Sequence, residues 1–543
     1  MRSVDVSPPQ THPAVVVPEL FNLADYLVDR HLREGRGDRT AVLYGDESIT
    51  YSQVSERSNR VANGLRALGV RREERVLLLL LDSPAFIYSF FAAQKIAAVP
   101  IPTNTLLMSA DYRYLLNDSR AVVAIVSESL LPALTAIPRS ELPYLRHIVV
   151  DGNSVPDTIP FLGLVRQPPE LRLDETSRDD AAFWLYSSGT TGFPKGAVHL
   201  HHDVVHTVVL YAQSILRITA EDRTFSVAKL FFAYGLGNAL TFPFAVGAST
   251  VLWPGPPTAP NVFAQIERFR PTLFYSVPTN YGMMLAHKRD GPDFDLRSIR
   301  QAVSAGEALP KALFERFRDR FQVEILDGIG STEILHIFIS NRPGQVRPGS
   351  TGQLVAGYEA RLVDEANQDV ADGTIGSLLI KGDSTCAYYW NQHERTKNTI
   401  EGHWIRTGDK YWRDPDGFYW YAGRADDMLK VGGIWVSPVE IENTLAEHPA
   451  VQEAGVIGRR DSSDLEKPMA YVVLVAGHQP SEALARELQE FVRERIADYK
   501  RPRWIEFVEV LPKTATGKTQ RFKLRESAAS EPVAELVIEA DRG

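Results

Sequence analysis

Apolar residues gather along this chain in short runs, with mixed stretches and turn residues between them. Val76 to Leu81 reads VLLLLL, a length that suits a strand buried on both faces and is far too short to span a bilayer. Pro84 then opens a helix-like stretch, and a second apolar run ends near Pro100. Ala121–Glu128 (AVVAIVSE) and His147–Gly152 (HIVVDG) carry the same strand character. TLFYSVPTNYGMMLAH and RQAVSAGEALPKALFERFRDRF repeat the rhythm further on. Strands alternating with helices in this way predict an α/β fold with parallel-rich sheets.

After Gly423–Arg424 the pattern changes. VQEAGVIG, MAYVVLVAG and WIEFVEV read as three strands, with a charged helix over SEALARELQEFVRERIADYK between the last two. That is enough for a small α+β domain. The expected organisation is a flexible arm over 1–18, a large domain over 19–425, a small mobile domain over 426–526 and a flexible tail over 527–543. No fixed-period repeat interrupts it.

At 543 residues the chain is long enough for at least two packed cores. The balance of 44% hydrophobic and 23% charged residues is that of a globular protein. A formal net charge of -9, with both signs mixed along the chain, argues against a nucleic-acid partner. The single cysteine, Cys386, excludes an internal disulfide and any multi-cysteine metal site. The proline-broken N-terminus does not read as a secretory signal, so a cytoplasmic location and no membrane partner are expected. The oligomeric state stays open, a homodimer included.

One stretch carries unusual chemistry: YSSGTTGFPKGAVHLHH, from Tyr186 to His202. FWLYSS reads as the end of a strand and GAVHLHHDVVHTVVLYAQ as the start of a helix. Between them Gly189 and Gly192 let backbone N–H groups turn inward. Ser187, Ser188, Thr190 and Thr191 add hydroxyls and Lys195 adds a positive charge. Such a nest suits a polyphosphate, although a plain flexible loop fits this stretch taken alone. It is not a Walker A loop, because Pro194 stands where that motif needs its second glycine. His199, His201, His202 and His206 invite a zinc reading, but no carboxylate stands at the required position between His202 and His206. Histidines on a polar helix surface are the expectation.

SSGTTGFPKG resembles the phosphate-loop signature of the acyl-adenylate-forming superfamily, which includes acyl-CoA synthetases, peptide-synthetase adenylation domains and luciferases. Further blocks follow in that family's order over roughly the whole chain. SAGEALP is similar to its adenine-contacting segment, which implies Gly306 and Glu307 against the base. DGIGSTE (Asp327, Gly328, Ile329, Gly330 through Glu333) resembles its second nucleotide motif. This implies Thr332 on phosphate and Glu333 holding the Mg2+ that accompanies ATP. WIRTGDKYWRDPDGFYWYAGRADDMLKVGG implies Asp409 and Arg424 at the ribose hydroxyls, a hinge at Asp426, and Lys430, Gly432 and Gly433 along the pantetheine arm of coenzyme A. LPKTATGKTQRFKLR implies that Lys518 is the adenylation lysine. Many family members carry an aromatic residue where this chain has Ile329, so adenine stacking by that side chain is not expected here.

KLFFAYGLGNAL matches the family's acyl-pocket motif, and together with STEILHIF it looks most like benzoate-CoA ligases and their hydroxybenzoate relatives. The resemblance implies a flat pocket for one aromatic ring, built from Phe232, Ala233, Tyr234, Gly235, Ile329, Gly330 and Ile334. His336 would hydrogen-bond the carboxylate of an aromatic acid. The implied activity is an ATP-dependent aryl-CoA ligase for benzoate. Rival readings are a ligase for 4-hydroxybenzoate, an enzyme loading an aryl acid onto a separate carrier protein, and a nucleotide-binding protein that has lost catalysis. The joint presence of Lys518, Glu333 and Asp409 disfavours the last.

Overall fold

A computed structural model of the chain describes residues 5–6, 15–189, 192–425, 427–431, 434–461, 465–513 and 519–530. Its largest sheet has nine strands, in the order Gln353–Leu354, Ile337–Ser340, Ile325–Gly330, Gln301–Ser304, Leu273–Ser276, Arg223–Ser226, Ser249–Leu252, Thr40–Tyr44 and Glu47–Thr50. From Ile325–Gly330 to Thr40–Tyr44 the strands run parallel, and the outer pairs are antiparallel. A second sheet of five parallel strands takes the order Val99–Pro102, Arg75–Leu79, Val123–Ser127, His147–Asp151 and Ile159–Pro160. The parallel α/β expectation is met.

Burial explains these strands. Val76 to Leu80 are completely enclosed, as an uninterrupted apolar run between two layers must be. Val99–Pro102 lies at the sheet edge, where Pro100 and Pro102 lose nothing by having no N–H to give a further strand. Helix Pro84–Lys95 is buried from Ala85 to Lys95, which accounts for its apolar residues all round. Lys95 ends it inside the core, where its ammonium donates to Asp29 at 2.6 Å, Asn59 at 2.7 Å and Ser55 at 3.4 Å.

A smaller antiparallel sheet (Glu359–Val363, Gly376–Lys381, Trp404–Arg413, Ile400–Glu401, with Tyr419–Arg424 beside Trp404–Arg413) precedes the C-terminal part. There Val451–Arg460, Glu466–Leu474 and Trp504–Phe507 form a sheet with its own core, as the sequence predicts. The charged helix runs from Glu482 to Arg493, capped by the Ser481 hydroxyl, which accepts from the Leu484 N–H at 3.2 Å. Asp5–Val6 pairs with Val15–Val16, and a last helix spans Arg521–Ser530. Among the described residues no helix is long and apolar enough to cross a membrane.

One expectation is overturned. The residues after the glycine-rich turn form a strand, Gly192–Leu200, which returns antiparallel beside Ala181–Gly189 and pairs Ser187 with Lys195. The next helix starts only at Asp203. The cause is burial on two faces: Ala197 packs with Cys386 and Tyr389, whereas its neighbour Val198 packs with Val99, Ile101 and Trp184. Successive side chains on opposite faces are a strand's period. The phosphate element is therefore a β-hairpin, with no helix N-terminus behind it.

The Lys95 cluster yields a stability test. Lys95→Leu leaves Asp29 without its countercharge and should lower unfolding free energy by about 3 kcal/mol, read by urea denaturation. The Lys95→Leu/Asp29→Leu double variant should lose less than the single one.

Candidate active site

Strands Ile325–Gly330 and Ile337–Ser340 are joined by a tight connection whose Thr332–Ile334 segment makes one 3-10 turn. Gly330 is required there, because a Cβ would meet the His336 carbonyl oxygen at 2.6 Å. Leu335 takes φ +73°, strained backbone for a non-glycine residue, and the surroundings hold it. The Thr332 carbonyl accepts from His199 Nε2 at 2.8 Å, and the Glu333 carbonyl accepts from the Cys386 N–H at 2.7 Å. The Ile334 carbonyl accepts from the Ser384 hydroxyl at 2.9 Å.

Glu333 projects toward the phosphate hairpin. Its Oε1 lies 3.0 Å from Lys195 Nζ and accepts from the Tyr389 hydroxyl at 2.7 Å and the Ser187 hydroxyl at 3.4 Å. Burial works against the charge on Glu333, but Lys195 and these hydrogen bonds outweigh it and hold the carboxyl below its usual range. The motif residues Ser187, Lys195 and Glu333 thus meet, although they are far apart in sequence. Backbone positions of Ser188, Gly189 and Gly192 belong to the two hairpin strands; Thr190 and Thr191 lie outside the described residues.

The histidines are not on a polar helix surface, which corrects the expectation. His199, His201 and His206 are buried. His199 is held between Asp203, at 2.8 Å from Nδ1, and the Thr332 carbonyl. His201 Nδ1 accepts from the Leu23 N–H at 3.1 Å, and burial lowers its ionisation to about 3. Among the described residues no cluster of histidine, cysteine and carboxylate side chains could hold a metal ion by itself. Sequence reasoning passed over Tyr389 and placed His199 on a polar surface, yet both help tie the hairpin to the Thr332–Glu333 turn. The clue available was their place beside strands that carry motif residues.

Further elements line the same edge of the large sheet. Gly306 turns with φ +92° after strand Gln301–Ser304, and Glu307 accepts from the Thr279 hydroxyl at 3.2 Å. Asp327 is enclosed, and burial pushes its carboxyl well up. Asp409 sits within strand Trp404–Arg413 rather than on a loop, directly across from Arg424, whose Nη1 donates to it at 3.1 Å. Gly408, at φ +79°, has no room for a Cβ, which would stand 2.7 Å from that guanidinium. Tyr411 lies within electrostatic reach of both Asp409 and Asp327. Lys430 belongs to strand Leu429–Val431; Asp426, Gly432, Gly433 and Lys518 lie outside the described residues. Beside two of them, Asp427 pairs with Arg521 at 3.3 Å and Arg525 at 2.5 Å, while Arg521 also binds Glu442 at 2.7 Å.

The expected acid pocket is a short helix, Ala233–Leu236, that starts after Phe232. Gly235 is packed so closely that a Cβ would stand 2.0 Å from the Lys229 carbonyl oxygen. The Tyr234 hydroxyl donates toward the carbonyls of Val303, at 3.1 Å, and Ser276, at 3.3 Å, which pins the ring to the C-terminal ends of two parallel strands. Its ring centroid is 5.6 Å from that of His336, which in turn packs on Phe242 at 4.4 Å. His336 Nε2 lies 3.1 Å from Asn238 Oδ1, and burial keeps the imidazole neutral, with its ionisation lowered to about 3. Ile334 is fully buried and backs the wall, whereas Phe232, Ala233, Tyr234 and Ile329 are half-buried.

His199 provides a direct test of the tie between hairpin and turn. His199→Ala strands the buried Asp203 and the Thr332 carbonyl, and should cost about 1–3 kcal/mol of stability in urea unfolding together with a raised KM for ATP. His202→Ala and His206→Ala should leave metal content, read by elemental analysis, unchanged.

Residues 28–390 match the model of the AMP-binding enzyme family, and residues 440–518 match that of the AMP-binding enzyme C-terminal domain. The chain is 49% identical over 517 residues to a benzoate–CoA ligase of Thauera aromatica, covering 95% of this chain and 98% of that protein. The crystal structure of the anthranilate CoA ligase AuaEII in complex with anthranoyl-AMP is similar at a TM-score of 0.91 and 49% identity, covering 94% of this chain and 98% of that one. A benzoate CoA ligase from Burkholderia xenovorans LB400 is similar at a TM-score of 0.86 and 49% identity, covering 93% and 100%. With both of its parts matched, and relatives 49% identical over nearly its whole length, the chain belongs to the AMP-binding enzyme family.

Proposed function

We propose that this protein is an ATP-dependent aryl-CoA ligase that converts benzoate to benzoyl-CoA through an acyl-adenylate, with release of pyrophosphate and then AMP. The observation that carries the reading is the turn after strand Ile325–Gly330. Within five residues it bears Thr332 and Glu333 on the hairpin side and Ile334 and His336 on the side of Tyr234. Phosphate and aromatic sites share that wall. Two proteins 49% identical over nearly the whole chain are benzoate CoA ligases, and a third at the same identity is an anthranilate CoA ligase, which supports an aryl acid and favours benzoate.

ATP and coenzyme A are substrates of AMP-binding CoA ligases. A carboxylate is a poor electrophile because its leaving group would be oxide. Its oxygen attacks the α-phosphorus of ATP, the bond to pyrophosphate breaks, and an acyl-adenylate remains. The thiol sulfur of CoA then attacks the acyl carbon, the thiol proton is lost and AMP leaves. Lys195 and the Ser187 hydroxyl, side by side on the hairpin, bind and orient the β- and γ-phosphates, while Asp409 and Arg424 take the ribose hydroxyls. Lys518 neutralises charge that develops on the α-phosphate. The Ala233–Leu236 helix and Tyr234 hold the ring flat; His336, expected to hydrogen-bond the carboxylate, is buried with Nε2 beside Asn238, and it braces Tyr234 instead.

Glu333 fits a magnesium ion: it is an ionised oxygen donor beside a phosphate-binding lysine and hydroxyl, and Mg2+ is bound by one or two carboxylates together with substrate phosphates. When bound, the ion supplies positive charge to the phosphate oxygens. The small C-terminal domain is assigned the change between half-reactions, with Asp426 as the hinge and the segment from Lys430 through Gly432 and Gly433 passing the pantetheine arm.

Two experiments test this. In a panel of benzoate, ring-substituted benzoates, cinnamate and medium-chain acids, scored by CoA-dependent AMP release, benzoate should give the highest kcat/KM. A preference for a linear acid would overturn the aryl reading, and AMP release indifferent to CoA would favour a carrier protein as acceptor. Lys518→Ala should slow adenylate formation by about 10²–10³-fold and leave thioester formation from supplied benzoyl-adenylate near the parent rate. Equal losses in both steps would contradict the two-state account.

A further inference from the structure

Tyr389 carries no motif signal, yet it stands at the junction of the nucleotide site. Strand Tyr388–Tyr389 pairs antiparallel with the returning hairpin strand, placing Tyr389 opposite Ala197. Its ring is 2% exposed and packs with Ala197 and Cys386. The hydroxyl accepts from Lys195 Nζ at 2.6 Å and donates to Glu333 Oε1 at 2.7 Å. These roles are forced, because an ammonium can only donate and an ionised carboxylate can only accept. Lys195 Nζ also sits 4.2 Å from the centroid of the same ring. One side chain therefore fixes both the hairpin lysine and the turn carboxylate.

That geometry sets up a competition. Lys195 is paired with Glu333, yet the reading above asks it to serve the phosphates of ATP. When the ammonium moves to phosphate, Glu333 Oε1 loses its 3.0 Å contact with Lys195 and keeps the Tyr389 hydroxyl, at 2.7 Å, as a donor. A carboxylate in that position needs such a donor to stay aimed. We infer that Tyr389 is a positioning residue that keeps Glu333 Oε1 aimed at the site of the nucleotide-bound cation while Lys195 transfers to the phosphates. This inference rests on the proposed role of Glu333 but not on which acid is activated.

The test is equilibrium binding of α,β-methylene-ATP, by titration calorimetry, with and without Mg2+; neither acid nor CoA is needed. Tyr389→Phe keeps the ring and its face toward Lys195 and removes only the hydroxyl. Metal-free binding should stay within about twofold of the parent, while the tightening produced by Mg2+ should shrink about tenfold. In turnover, KM for MgATP should rise by a similar factor, with kcat changed less. In a Glu333→Gln background the same substitution should have no further effect on the response to Mg2+. Cys386→Ala, which disturbs packing beneath the ring and spares the hydroxyl, should preserve that response. An unchanged Mg2+ response in Tyr389→Phe overturns the inference, as does an equal loss in the Glu333→Gln background or in Cys386→Ala. A parent protein that binds the analogue with Mg2+ but activates no aryl acid would refute the proposed function and leave this inference standing.

Discussion

A carboxylate taken out of water must be met by charge and hydrogen bonds, and Glu333 is where this chain meets that demand. Its neighbours come from two separate stretches: Ser187 and Lys195 from the hairpin, and Tyr389 from a strand nearly two hundred residues later. Each is also anchored by backbone pairing, since strand Tyr388–Tyr389 is hydrogen-bonded to the hairpin itself. The Glu333 peptide is held from behind by the Cys386 N–H. The ionic cluster and the His199 bond to the Thr332 carbonyl together seat the hairpin against the Thr332–Glu333 turn. Lys195 and Glu333 are thereby fixed a hydrogen bond apart.

The parallel sheet supplies the frame. Strands Leu273–Ser276, Gln301–Ser304 and Ile325–Gly330 run in the same direction, so the loops that follow them emerge along one edge, where α/β folds place their ligands. Gly306, Glu307 and the Thr332 turn are on those loops, and Tyr234 is tethered to two of the same strand ends. Close packing does the rest. Gly235 and Gly330 sit where a single methyl group would collide with backbone oxygen, so the aromatic pocket takes its depth from backbone approach more than from small side chains alone.

Much of this was legible in the residues. Apolar runs such as VLLLLL marked fully buried strands because length and lack of alternation leave few other structures, and the order of short polar blocks pointed to nucleotide chemistry. What failed was local. GAVHLHHDVVHT carries enough helix-compatible spacing to suggest a helix straight after the glycine turn, and only the pairing of Gly192–Leu200 with distant strands settles it as a hairpin. The same limit hid His199 and Tyr389. Their partners lie 133 and 56 positions away, and no local pattern encodes a contact that exists only after two sheets have docked. The histidines looked like solvated surface groups because polarity predicts exposure on average; here Asp203 and the Thr332 carbonyl hold His199 inside, and the Leu23 N–H donates to His201.

The pairing of charges also bears on how the site handles ATP. Lys195 is matched with Glu333, and Arg424 with Asp409. Each pair is close to neutral, so neither Lys195 nor Arg424 stands as a bare cation, which would be costly where solvation is poor. ATP brings several negative charges into that balance. It can be accommodated only if a cation leaves its carboxylate for phosphate, or if new positive charge enters beside the freed carboxylate. On the proposed roles, Lys195 and Glu333 would serve both at once, since a lysine moved to phosphate leaves an oxygen donor of the kind a magnesium ion takes. Charge neutrality, more than the number of hydrogen bonds, thus links nucleotide binding to metal binding. It also gives a physical reason for the phosphate lysine and the carboxylate to be built as partners.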